Sequence, residues 1–196
     1  QCDWSSDVCS SDLGGEVGLL GVALAHGLAL AVLATALGPV SGGQFNPAVT
    51  VALWLVGKVR TRAGARIIVA QLAGAVAAGF ALKLAFGGFD GGDTAYSIGA
   101  GGAPMVADGI STATAIGIEA VLTALLAYAV LLTAVDGRAP KMGGLFIGFA
   151  VSADILVGGP LTGAAMKPAR WFGPAIAFGD LSAALVYVVG PLLGAA

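Results

Sequence analysis

The chain has 196 residues, 58% hydrophobic and 10% charged, with a formal net charge of -2, and its mean hydropathy is +0.94. A soluble domain carries about 25% charged residues, so this composition excludes a soluble globular protein and calls for several membrane spans. One His, and cysteines only at Cys2 and Cys9, leave no Ser/His/Asp or Cys/His set and no metal-ligand cluster. No enzyme, cofactor, metal or nucleic-acid partner is therefore expected.

In chain order, residues 2–13 look like neither a signal peptide nor a membrane-protein start. They back-translate to a common short-read sequencing adapter, so residues 1–15 read as a non-native segment and 16–196 as one membrane domain. Gly18 to Leu37 is an apolar run long enough to cross a bilayer. Next comes Ser41-Gly42-Gly43-Gln44-Phe45-Asn46-Pro47-Ala48-Val49-Thr50. Asn before Pro is a helix start: Asn caps, and Pro at the first helical position loses no useful donor. That helix should end near Val56, at Gly57 and the cations Lys58, Arg60, Arg62 and Arg66. Roughly ten apolar residues cannot span a bilayer. The segment is therefore read as a half-helix that starts inside the membrane and lines a cavity or packs on protein.

Ile67 to Phe86 is the next span and carries Gln71. Gly87 to Gly109 is a loop holding Asp90, Asp93 and Asp108 without Lys or Arg. Ile110 to Ala134 is a span holding Glu119, Asp136 to Lys141 a polar turn, and Met142 to Val157 a further span. A second broken segment follows, helical from about Pro168 to Phe178. Leu181 to Ala196 begins a last span. The cations of residues 58–66 share a side with Arg138 and Lys141, which places both groups in the cytoplasm. The two broken segments then enter from opposite faces, as inverted repeats do when they build a site near the midplane.

Ser-Gly-Gly-x-x-Asn-Pro-Ala-Val-Thr resembles the first half-helix motif of the aquaporin (major intrinsic protein) family. Thr162-Gly163-Ala164-Ala165-Met166-Lys167-Pro168-Ala169-Arg170 resembles the second, with Lys167 where Asn is expected. The resemblance runs from about Glu16 onward. It implies an all-α membrane fold with six transmembrane helices and two re-entrant half-helices. The run from Gly18 would be the family's second helix, so the first, and the end of the last, would be absent. Residues 16–86 would be the incomplete first half and residues 110–196 the second.

The resemblance also implies a site. Asn46, Pro47, Ala48, Lys167, Pro168 and Ala169 would form the pore centre. His26, Ile155, Ala164 and Arg170 fall at the family's filter spacings and resemble the filter of plant vacuolar-membrane aquaporins. The expected function is passive passage of water, with small neutral solutes such as ammonia or urea, through a homotetramer. The expected location is the plasma (inner) membrane of a bacterium. A non-conducting scaffold or decayed copy is the alternative, prompted by Lys167. A coupled transporter ranks last, because only Glu119 and Asp154 could carry protons. Glu119 is instead expected to prop a re-entrant loop. Asp154 pairs with Arg170 or Lys167, or else faces a loop.

Overall fold

The computed structural model describes residues 18–86 and 102–196, all helix and connecting turns. The segment read as non-native and most of the loop from Gly87 to Gly109 lie outside the described residues. Helix α1 is Gly18–Ser41, α2 Pro47–Leu55 and α3 Thr61–Phe86. Helix α4 is Thr112–Val135, its last turn widened to a π turn at Leu131–Val135. Helix α5 is Gly143–Thr162 and α6 Pro168–Phe178. Helix α7 is Leu185–Ala195, opening with a π turn at Leu185–Val189. Four of these (α1, α3, α4 and α5) are long and apolar enough to cross a membrane, whereas α2 and α6 are not.

The short helices start where the sequence says they should. The Asn46 side-chain oxygen accepts from Ala48 N at 2.9 Å and Pro47 fills the first helical position. Val56 closes the helix and Gly57 turns the chain at φ +72°. The long spans overrun their expected limits. Helix α1 continues through Pro39 to Ser41, and α5 through Pro160 to Thr162. Each of these prolines forfeits a backbone bond without ending its helix. Gly163, at φ +70°, ends α5 by donating to Gly159 O at 2.9 Å. Helix α3 starts at Thr61, six residues before the apolar run at Ile67, so its first turns carry the exposed Arg62 and Arg66.

Packing crosses the two halves. Helix α1 lies along α5, α4 lies against α5 and α7, α6 packs on α3, and α2 touches both α3 and α7. Each short helix thus leans on the long or terminal helix of the opposite half. Lipid supplies no hydrophobic drive between helices, so contact depends on close backbone approach at small residues. A Cβ added to Gly27 would meet Ser152 Oγ and come within 2.5 Å of Gly148 O. One added to Gly79 would sit 2.6 Å from Gly173 O. Ser152 Oγ donates to Ala23 O at 2.9 Å, closing the same α1–α5 seam. Where α6 ends against α3, the Lys83 ammonium donates to Ala177 O at 2.7 Å and lies 5.3 Å from the Phe178 ring centre. A cation there suits the negative end of the half-helix.

At the face carrying the basic turns, Asp136 pairs with Arg138 at 2.7 Å. That contact holds the Asp136 carboxyl below the usual carboxylate range, and Lys58 adds to the effect. The basic turn of the first half and the polar turn of the second therefore share one side, as the loop charges implied.

Candidate functional site at the junction of the half-helices

The two broken segments meet through one hydrogen bond. Asn46 is buried, and its side-chain nitrogen donates to Met166 O at 2.8 Å while its oxygen caps α2. One amide thus closes its own helix and ties the first loop to the second. Thr50 Oγ1 donates to Asn46 O at 3.1 Å, and Gln71 Nε2 on α3 donates to Gln44 O at 2.7 Å and to Thr50 Oγ1 at 3.1 Å. Gly42 and Gly43 take positive φ angles, +83° and +61°, which glycine adopts without steric cost.

The second loop is held from outside. Glu119, fully buried on α4, accepts from Thr162 Oγ1 at 2.7 Å, Ala165 N at 2.9 Å and Met166 N at 2.7 Å. Three donors converging on two oxygens fit an ionised, acceptor-only carboxyl. Glu119 is the loop prop that the sequence suggested. Tyr187 Oη donates to Thr162 O at 2.9 Å, and Thr123 Oγ1 lies 3.4 Å from Met166 O. Ala164 and Met166, neither a glycine, sit at φ +45° and +52°. Lys167 occupies the N-cap of α6 and makes no side-chain cap bond.

The residues at filter spacings are held as follows. Ala164 and Ile155 are buried. The Arg170 guanidinium donates to Gly163 O at 2.6 Å and Ala164 O at 2.7 Å, so the loop fixes its position. His26 is exposed, and Nδ1 donates to Val22 O at 2.8 Å, which leaves Nε2 free to accept. It feels the charges of Arg170 and, more weakly, Lys167. Asp154 corrects one of the readings offered for it. It is buried with Oδ2 unpartnered, and among the described residues no ion pair joins it to Arg170 or Lys167. It sits on α5, within electrostatic reach of Glu119 rather than of either cation.

A cavity of about 280 Å³ runs from the face of the basic turns to the junction. Its walls are mostly apolar, among them Val49, Leu53, Leu126, Val130, Ile147 and Val151. At its inner end stand Asn46, Met166 and Lys167. His26, Ile155, Ala164 and Arg170 line none of it, whereas Lys167 stands where the cavity ends. The Met166 carbonyl was invisible to sequence reasoning, because no side-chain pattern announces a backbone acceptor. Thr123, Thr162 and Tyr187 did carry a signal: hydroxyls inside apolar spans need partners.

A helical membrane fold of this kind, with two half-helices joined at their N-terminal ends, defines a channel-type architecture. The chain matches the Major intrinsic protein family over residues 3–196, and it belongs to that family. It is 40% identical over 180 residues to Aquaporin TIP2-1 of Arabidopsis thaliana, and 43% identical over 181 residues to Aquaporin TIP4-4 of Zea mays. These alignments cover 90% and 91% of this chain and 68% of each relative. It is also 40% identical to Aquaporin-8 of Rattus norvegicus over 91% of this chain and 66% of that protein. The X-ray structure of the aquaglyceroporin from Plasmodium falciparum superposes with a TM-score of 0.78 at 23% identity, covering 90% of this chain and 78% of that one. That likeness speaks for the fold alone. The relatives quoted are eukaryotic, so they lend nothing to a bacterial plasma membrane; membrane embedding itself follows from the family and the four long apolar helices.

Proposed function

We propose that the chain is a passive channel for water that also passes small neutral solutes of the ammonia and urea class. The observation that carries this reading is the Asn46–Met166 bond, which joins two half-helix N-termini at the end of an apolar-walled cavity. Each N-terminus contributes about half a positive charge. Together they disfavour cations and protons while leaving a neutral, hydrogen-bonding solute unopposed. In this reading Asn46, Pro47, Ala48, Lys167, Pro168 and Ala169 form the pore centre. His26, Ile155, Ala164 and Arg170 form the filter, with Arg170 held by two loop carbonyls. Ile155 supplies bulk without a donor, which favours solutes broader and less polar than water alone. Membership of the family suggests a homotetramer with one pore per protomer.

Stopped-flow shrinkage of proteoliposomes at matched protein density, run beside ammonia and urea uptake, tests this. The protein should raise water permeability over empty vesicles. I155H should narrow the filter and add a donor, so urea and ammonia fluxes should fall several-fold more than water flux. Equal loss of all three would remove Ile155 from the filter. Absence of any water flux would favour a non-conducting membrane scaffold.

A further inference from the structure

We propose that the inner cavity binds a small monovalent inorganic anion, of the chloride or nitrate class, as the counter-ion of Lys167. Lys167 lines the cavity where it meets the half-helix junction, beside Asn46. Its side chain makes no cap bond. Among the described residues the one ion pair is Arg138–Asp136, so neither buried carboxyl lies within 4.0 Å of the Lys167 ammonium. Glu119 is engaged by three donors of the second loop, and Asp154 sits on α5 without a cationic partner. The other charged group near Lys167 is Arg170, of the same sign.

A cation against apolar walls is costly unless it is paired. Where the described residues supply no anion, one from solution is the remaining partner. The surroundings favour it. Two helix N-termini converge here, Asn46 lines the same end of the cavity, and Val49, Leu53 and Val151 keep the local dielectric low. A volume of about 280 Å³ admits a dehydrated or partly hydrated halide, and none of the filter residues lines the cavity. Among the described residues no carboxylate lines it. The proposal uses the cavity that the channel reading also uses, but anion binding needs no permeation.

The experiment is thermal unfolding of the purified full chain in detergent. Sodium chloride replaces sodium gluconate at constant ionic strength, and the series is repeated with nitrate. Chloride should raise the melting temperature saturably, by about 5–10 °C at roughly one hundred times the dissociation constant. K167N and K167M should lose the dependence and K167R should keep it. No chloride dependence in the parent chain, or an equal one in K167N, would overturn the proposal. Bromide soaked into crystals gives a second reading, with anomalous density expected beside Lys167 and density only elsewhere counting against it. Water permeability is measured separately, so failure of anion binding leaves the channel reading standing, and the converse also holds.

Discussion

The two re-entrant loops perform the same turn by opposite means. The first spends glycines: Gly42 and Gly43 take the left-handed backbone freely, and Asn46 caps the helix that follows. Gln71 is the main brace from a neighbouring span. The second loop puts Ala164 and Met166 at positive φ, where an L-residue pays about 1–2 kcal/mol. Its helix has no side-chain cap. It keeps its shape because Glu119 holds two backbone amides and a hydroxyl, Arg170 holds two carbonyls, and Asn46 reaches across to Met166 O. A loop rich in glycine is pre-adapted to its geometry; a loop without it must be held from outside. The second loop therefore stands or falls with α4, whereas the first is largely self-sufficient.

Substitution of Glu119 gives the largest expected effect. E119Q keeps one acceptor oxygen and turns an NH2 group toward a backbone or hydroxyl donor. At least one buried donor is orphaned, at about 1–3 kcal/mol, and the remaining bonds lose their charge assistance. Destabilisation of about 3 kcal/mol or more is expected, read as a lower melting temperature of the purified protein, with water permeability falling in step. A fully stable E119Q would mean that Arg170 and Asn46 hold the loop without α4, and the contrast between the loops would collapse.

Q71L sharpens the contrast from the other side. It removes the bonds to Gln44 O and Thr50 Oγ1, but it also removes a buried Gln71 oxygen that has no partner. Neutral hydrogen bonds contribute about 0.5–1.5 kcal/mol each, and losing the orphan offsets part of that. The expected cost is about 1–2 kcal/mol, below that of E119Q in the same assay. A larger loss than E119Q would show that glycine does not make the first loop self-sufficient.

Much of this arrangement was legible in the sequence, for identifiable reasons. Asn46-Pro47 announces a helix start through capping chemistry that acts within three residues, Pro168 announces one through its fixed φ at the first helical position, and both helices begin there. Glu119 was legible because a carboxyl in an apolar span must be satisfied. Span ends were read less well. Helices α1 and α5 run past Leu37 and Val157 through Pro39 and Pro160, which lie inside their last turns without ending them. The start of α3 was hidden because Arg62 and Arg66 break the apolar run without breaking the helix. The partners of Glu119 could not be read at all: they are mostly backbone groups more than forty residues away. Asp154 misled because charge complementarity suggests a partner but does not say which way a helix face turns.

The smallest expected effect is the most pointed, because it exchanges the two strategies at single positions. A164G relieves about 1–2 kcal/mol of left-handed strain. Against that, it exposes the chain to glycine's backbone entropy, about 0.5–1 kcal/mol, and removes a buried methyl worth about 0.8 kcal/mol. The terms nearly cancel, so A164G should melt within about 1 kcal/mol of the parent chain. In the first loop, G43A adds left-handed strain and a tight backbone contact, which the lower entropy of the unfolded chain offsets only in part. The new Cβ at φ +61° would lie 3.2 Å from Gly38 Cα and 3.3 Å from Ala34 O, both backbone atoms that cannot swing aside. It should cost about 1–2 kcal/mol. Paired melts of the two variants, with water permeability measured on each, decide the matter. If A164G loses more than G43A, the buried methyl against α5 matters more than the backbone angle, and strain held in place by Glu119 is not what distinguishes the second loop.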